Sequence, residues 1–433
     1  MRTVANSASG MSRPYRVLPA TDVAGKRALN RLIANSGIGV GVFLLGFVMS
    51  EPAPYELYMV TLITVALLFG MRLTKTSTVL LAVLTVFNFG GMISVMQMAD
   101  TKEAPLYIAV SLFLAFTAVF YAAIIEADYR RLKTIFNAYL LVGILSSLLG
   151  IAGYLNLFPG ADTFTRYGRA MGCFKDPNVY GPFLVLPFTW SLYRIMKGNG
   201  RDLLVYLPLC CVLTLGILVS FSRAAWAMVP LSFLCLFVVL LLQSESNRFR
   251  LRLITIGLLA VLAIALAIIL LLQIPDVRAF FLERARLEQS YDSARLGRFA
   301  RHWLGLVLAT EHPLGIGPLE FGPMFGEDTH NVWLKAVLDY GWIGFIAFMI
   351  LTFLTLAIGF KLMFRNRPWQ PFLLCAYATY LGHVVIGNVI DTDHWRHFYL
   401  LFGIIWGCAG LEFKYQRKAA TRNQYQGNPL CNS

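Results

Sequence analysis

The chain reads as an all-α, polytopic membrane protein with about twelve transmembrane helices and one large, partly helical loop outside the membrane. Three observations lead there. Of its 433 residues, 58% are hydrophobic and only 14% charged, whereas a soluble domain carries about one quarter charged residues. Apolar windows approaching the roughly 20 residues that a hydrocarbon core requires recur along the chain. The basic residues behind the net charge of +14 fall mostly in short connections between those windows. That pattern orients a protein in a membrane and does not track nucleic-acid phosphates, so no nucleic-acid partner is expected.

Taken in order, the windows lie near 32–50, 55–71, 77–98, 105–125, 134–155, 179–196, 202–221, 224–242, 253–274, 341–363, 370–390 and 395–413. The first 30 residues or so are polar and basic without an apolar run, so the first window is expected to serve as its own insertion signal, with no cleaved signal peptide. Arg72 and Lys75, Arg130, Arg131 and Lys133, Arg194, Lys197 and Arg201, Arg248, Arg250 and Arg252, and Lys361, Arg365 and Arg367 mark every second connection. With a basic first segment and a tail holding Lys414, Arg417, Lys418 and Arg422, both termini are expected in the cytoplasm. The chain then divides into an N-terminal segment, 1–31; nine helices over 32–274, with a polar loop at about 156–178; a large loop, 275–330; three helices over 331–413; and a tail, 414–433. Cys210, Cys211, Cys235, Cys375 and Cys408 sit inside apolar windows without paired spacing and read as small core residues.

Three polar features fall on the expected non-cytoplasmic side. The loop at 156–178 holds Arg166, Arg169, Lys175, Asp176, Pro177 and Asn178. The turn Ser220 to Trp226 joins two apolar windows almost without a loop and places Arg223 at the membrane edge. An arginine there either snorkels to the interface or serves a function. The large loop has six arginines (Arg278, Arg284, Arg286, Arg295, Arg298 and Arg301) and no lysine, a bias suited to paired contacts with an oxyanion. It also carries eight acidic residues, so internal ion pairing is the competing reading. Its stretch from Arg278 to Trp303, free of Gly and Pro until Gly297, is expected to form one or two amphipathic helices at the surface. The loop ends at Asp328, Thr329, His330 and Asn331. His330 is the best candidate for proton chemistry, against the plainer reading of an interfacial histidine capping a helix.

One candidate base among several arginines at a membrane surface suits transfer from a phosphorylated lipid. A departing diphosphate gathers negative charge, which fixed arginines stabilise without a metal. A histidine within reach takes the proton of the incoming hydroxyl. No phosphate-binding Gly-rich loop is present, and Gly315, Ile316 and Gly317 are too short a run for a nucleotide fingerprint. Asp391, Thr392, Asp393 and His394 come nearest to a metal arrangement, and no metal or other cofactor is expected.

These residues resemble the superfamily of O-antigen ligases and polymerases, bacterial envelope glycosyltransferases, and the ligase branch most of all. The resemblance covers roughly 165–345 and follows the family's order. Arg169 through Asn178 is similar to the segment opening the sixth helix, and Ser222 to Ala225 to a short serine-arginine motif. Gly297 and Arg298, with His312 to Gly317, are similar to the large loop, and Thr329 to Asn331, followed by Asp339 to Gly341, to a closing histidine motif. The resemblance implies a multi-pass enzyme of the bacterial inner membrane with a periplasmic site. It transfers a glycan from an undecaprenyl-diphosphate donor to a lipid A-core acceptor in lipopolysaccharide biosynthesis, inverting, and independent of metal and nucleotide. Arg223 and Arg298 then hold the diphosphate, and His330 orients or deprotonates the acceptor hydroxyl. Arg169 adds a phosphate contact, and Arg295, Arg301, Asn178 and Asn331 join in substrate binding. Alternatives within the superfamily are an O-antigen or exopolysaccharide polymerase and a protein O-oligosaccharyltransferase. From another class comes a lipid-linked glycan transporter, which often shows the internal repeats that this chain lacks.

Overall fold

In a computed structural model of the chain, residues 20–101, 103–275, 278, 279, 281, 282 and 297–426 are described. Each of the twelve apolar windows coincides with helix. In chain order these are α1 (Ala20–Leu44), α2 (Pro54–Leu68), α3 (Lys75–Val95), α4 (Ala104–Ala127), α5 (Arg131–Tyr154), α6 (Pro177–Phe183), α7 (Val185–Lys197), α8 (Gly200–Val219), α9 (Arg223–Leu242) and α10 (Asn247–Leu271). Beyond the large loop's first part come α11 (Arg298–Glu311), α12 (Phe321–Phe325), α13 (Val332–Met363), α14 (Gln370–Ile386) and α15 (Arg396–Gln426). The only strands among the described residues, β1 (Thr165–Arg166) and β2 (Arg169–Ala170), form one tiny hairpin. The protein is therefore all-α and polytopic: seven described helices are long and apolar enough to cross a membrane, and three further apolar helices are shorter.

Side-chain caps start several of these helices. Thr74 Oγ1 accepts from Ser77 N before α3, Asn199 Oδ1 from Asp202 N before α8, and Ser222 Oγ from Ala225 N before α9, each satisfying one of the free amides of a first turn.

The window at 179–196, read from sequence as one span, is two helices with Leu184 between them. The cause is proline. Pro187 has no N–H to give the Phe183 carbonyl, as an unbroken helix would require, and the Tyr139 hydroxyl donates to that carbonyl instead at 3.1 Å.

The window at 341–363 also begins earlier than expected. Its helix starts at Val332 and breaks at Gly341, whose φ of 64° and ψ of 179° lie outside helical geometry. Left-handed φ of this kind is cheap for glycine alone. The break strands the carbonyl of Leu338, which accepts from Ile316 N at 2.9 Å and Gly317 N at 3.3 Å, while Trp342 N donates to Pro313 O at 3.0 Å. The segment His312 to Gly317 thus plugs the break, and the Gly315–Ile316–Gly317 run serves to fold that plug, with φ of 89° and 103° at its glycines. The buried backbone groups freed at the break regain partners, as burial demands.

The most extensive packing joins α13 to α3 and α15 to α4. At the first of these, a Cβ on Gly90 would meet the carbonyl of Tyr340 and the backbone of Gly344, so the two helices touch main chain to main chain. Phe87 stacks on Tyr340 beside that contact, with ring centroids 3.9 Å apart. Because backbone cannot swing aside as a side chain does, Gly90→Val is expected to cost about 1–3 kcal/mol or more. Thermal unfolding of the detergent-solubilised protein should show the loss, and an unchanged midpoint would mean that the helices are less closely apposed.

Candidate active site

Two groups of polar side chains gather at one end of the bundle. In the first, the loop before α6 folds onto the turn between α8 and α9. Asp176 caps α6 by accepting from Asn178 N at 2.6 Å. Arg169, presented by β2 and only 5% exposed, donates from Nη2 to Asn178 Oδ1 at 2.7 Å and from Nε to the Ser220 carbonyl at 2.8 Å. A left-handed Phe221, φ 47°, makes the turn possible without a loop, and the Ser222 cap launches α9 with half-buried Arg223 as its first residue. Phe281 packs against Trp226, ring centroids 5.1 Å apart, which brings the start of the large loop to the same turn.

The second group surrounds His330. Asn331 caps α13, its Oδ1 accepting from Trp333 N and Leu334 N at 3.0 and 3.1 Å, while its Nδ2 donates to the Asn388 carbonyl at 3.1 Å. Val332 N donates to Gly387 O at 2.8 Å, and His302 Nε2 lies 2.9 Å from the Thr329 carbonyl, to which it can only donate. Pinned on both sides, His330 takes a left-handed φ of 48°, a conformation that costs a non-glycine residue on the order of 1–2 kcal/mol. Its Nε2 meets Glu327 Oε1 at 3.1 Å, and its Nδ1 stands 3.7 Å from Asp391 Oδ2. The latter is an electrostatic approach, since it exceeds hydrogen-bond length. Glu327 is also ion-paired with Arg301 at 2.5 Å.

A buried layer lies behind. Lys335 Nζ is 2.9 Å from Asp339 Oδ2 and 5.3 Å from the centre of the Tyr107 ring. Tyr107 donates to Asp393 Oδ2 at 2.8 Å, and His394 Nδ1 reaches the same oxygen at 2.7 Å. Asp391 and Asp393, two residues apart, therefore have separate work. Burial would raise the Asp393 carboxyl, but His394, Lys335 and Tyr107 outweigh it and hold the group well below the usual carboxylate range. Asp391 has weaker compensation: burial, helped by Asp393 and Asp328, overrides Lys335 and His330 and pushes it up to about 7. Burial also acts upward on Glu327, yet His330 and Arg301 bring it below its ordinary value.

The two groups share an end of the molecule. On α14, Gly382 adjoins Met228 of α9, while Gly387 receives the amide of Val332. Going from Met228 back to Arg223 and from Gly382 on to Gly387 is five residues in each case, roughly 7.5 Å of helix.

Of the residues singled out from sequence, Arg169, Asn178 and Arg223 are brought together at one turn, and His330 stands beside Asn331 in the other group. Asn331 is engaged as a helix cap, and Arg301, 6% exposed, is turned inward to Glu327. Arg295, with Arg284 and Arg286, lies outside the described residues; Arg298 opens α11, but its side chain is not described. Sequence reasoning missed Glu327 and the Lys335–Asp339 pair, and it weighed Asp391 and Asp393 only as metal ligands. The spacing of Glu327 three residues before His330 was an available signal. Nothing in the sequence ties Asp391 to His330. Among the described residues, no three His, Cys, Asp or Glu side chains converge as a metal-binding group.

A carboxyl whose folded value is raised from 3.8 to about 7 costs stability once deprotonated, so the loss sets in as pH rises from about 4 through about 7. Asp391→Asn is expected to remove that loss. Thermal midpoints measured from pH 5 to pH 8 should fall less for the variant than for the parent, and parallel curves would assign the titration to another group.

Residues 208–349, about a third of the chain, match a family model described as O-antigen ligase. No curated protein matches the chain. The matched span contains the Arg223 turn, Arg298, Arg301 and His330, and it excludes Arg169, Asn178 and Asp391.

Proposed function

Taking as premise that residues 208–349 are an O-antigen ligase family domain in a multi-pass membrane protein, we propose that the protein transfers a glycan from undecaprenyl diphosphate to lipid A-core. In this reading the His330 end faces the periplasm, the protein lies in the bacterial inner membrane, and the reaction inverts the anomeric centre. The family supports an enzyme of the lipid-linked ligase and polymerase kind; the donor, the acceptor and the roles below are our reading.

The observation that carries it is the placement of His330 between two unlike carboxylates. Glu327 on Nε2 has a side chain 51% exposed, whereas Asp391 facing Nδ1 is 17% exposed. An incoming acceptor hydroxyl displaces the exposed partner far more cheaply than the buried one. Glu327, an acceptor, keeps the ring proton on Nε2. Once Glu327 is displaced, the proton passes to Nδ1, on the Asp391 side, and bare Nε2 takes the hydroxyl proton as the oxygen attacks. Asp391, 3.7 Å from Nδ1, compensates the charge the ring acquires. On the other side of the sugar the bond to the diphosphate oxygen breaks, and negative charge passes to the leaving group. Arg223, with Arg298 from the large loop, compensates that charge. Arg169 is already committed to Ser220 and Asn178, so it braces the turn that carries Arg223.

The purified protein, given undecaprenyl-diphosphate glycan and lipid A-core without nucleotide, is expected to form high-mass lipopolysaccharide. His330→Ala should lower turnover by about 10²–10⁴-fold, the usual scale for a general base, and Glu327→Gln should retain most of it. Full activity of a stably inserted His330→Ala protein would falsify the role given to His330. Growth of the glycan on its own lipid carrier, with lipid A-core untouched, would assign a polymerase instead.

A further inference from the structure

At the end of the bundle remote from His330, the described residues enclose a cavity of about 530 Å³ between the start of α1, the α4–α5 turn and α15. The two ends are far apart: along α4, Tyr107 belongs to the His330 end and Glu126 lines the cavity, nineteen residues or roughly 28 Å away. Four cations line it, Arg31, Arg130, Lys414 and Lys418, against two carboxylates, Glu126 and Asp128. The carboxylates are already occupied. Lys414 Nζ lies 3.1 Å from Glu126 Oε1, and Arg31 Nε is 3.9 Å from Asp128 Oδ2. Exposed Arg130 and Lys418 have no side-chain ion pair among the described residues, so the cavity presents two uncompensated positive charges.

Three aromatic side chains complete the wall. Tyr129 and Trp369 have ring centroids 6.0 Å apart, and Trp369 and Tyr415 6.5 Å. Amphipathic rings of this type settle at the level of lipid headgroups. Flanking it at the same end are the basic connections at Arg72, Arg131, Lys133 and Arg365, which add a field attracting anions.

From this we infer that the cavity binds the phosphate headgroup of an anionic phospholipid from the leaflet opposite the His330 site, with Arg130 and Lys418 on the phosphate oxygens and the exposed side of the Tyr415 ring, backed by buried Trp369, against the glycerol and upper acyl chain. A soluble phosphate shares the charge but has nothing to lay on the aromatic wall. Zwitterionic lipid shares the acyl chain but brings its own cation into a cavity that is already positive.

Native mass spectrometry of the full-length protein, released from micelles doped with phosphatidylglycerol or phosphatidylcholine, tests this without any reference to glycan transfer. One phosphatidylglycerol per chain is expected to be retained in preference to phosphatidylcholine. The double variant Arg130→Ala, Lys418→Ala should weaken retention by roughly thirtyfold, the scale for two juxtamembrane cations, while Arg72→Ala, outside the cavity, should leave it within about twofold. Equal retention of the two lipids, or equal loss in the double variant and Arg72→Ala, would overturn the site. Displacement of the lipid by millimolar inorganic phosphate would overturn the lipid assignment in favour of a soluble phosphate.

Discussion

The break in α13 at Gly341 is the constraint from which the arrangement around His330 follows. A helix interrupted where it is buried must find new partners for its freed backbone groups. Here the segment from His312 to Gly317 supplies them, donating to Leu338 and accepting from Trp342. The plug ties α11, and with it the last part of the large loop, to the first half of α13. That half-helix then carries Asn331, Lys335 and Asp339 as a rigid unit. His330 lies at its head, with its backbone direction settled by bonds to Gly387, Asn388 and His302 on either side. The close contact of α13 with α3 at Gly90 holds the same unit against the bundle.

Charge is handled differently in the layers of this end. The buried cation Lys335 is neutralised by Asp339 and bordered by the Tyr107 ring, and Asp393 is satisfied by a tyrosine and a histidine. Near His330 compensation is incomplete. Asp391 has one oxygen buried without a hydrogen-bond partner and a proton affinity raised by that burial. Incompletely satisfied ionisable groups are expensive in a low-dielectric setting and tend to be found where proton transfer is required. Arg301 and Glu327, by contrast, form the internal ion pair that the large loop's mixed charge allowed.

Much of the helical framework was legible in the chain. The apolar windows fell on helix because a helix in a hydrocarbon setting must be apolar along nearly its whole length, and seven described helices are long and apolar enough to cross a membrane. The errors sit at prolines and glycines. Pro187 divides one window by depriving Phe183 of a donor, and Gly341, where another window opens, is a break inside a helix that already began at Val332. Both residues were visible, yet whether a proline or glycine breaks a membrane helix depends on what stands ready to take the freed carbonyl. Tyr139 and the Ile316 amide, each dozens of residues or more than twenty away in the chain, do so here.

The sequence by itself determined the fold class, the membrane character, the polar character of the His330 junction and the cluster of candidate arginines, since each is written in local composition and spacing. Asn331 as a helix cap was also within its reach, because a cap bonds amides only two and three residues ahead. Only the tertiary structure decided that His330 faces Asp391, that Arg169 braces the Arg223 turn, and that Arg301 turns to Glu327. A side chain's partner across a bundle is chosen by helix packing and by the need to neutralise buried charge. Residues 61 positions apart in sequence carry no mark of that choice until the helices between them have folded.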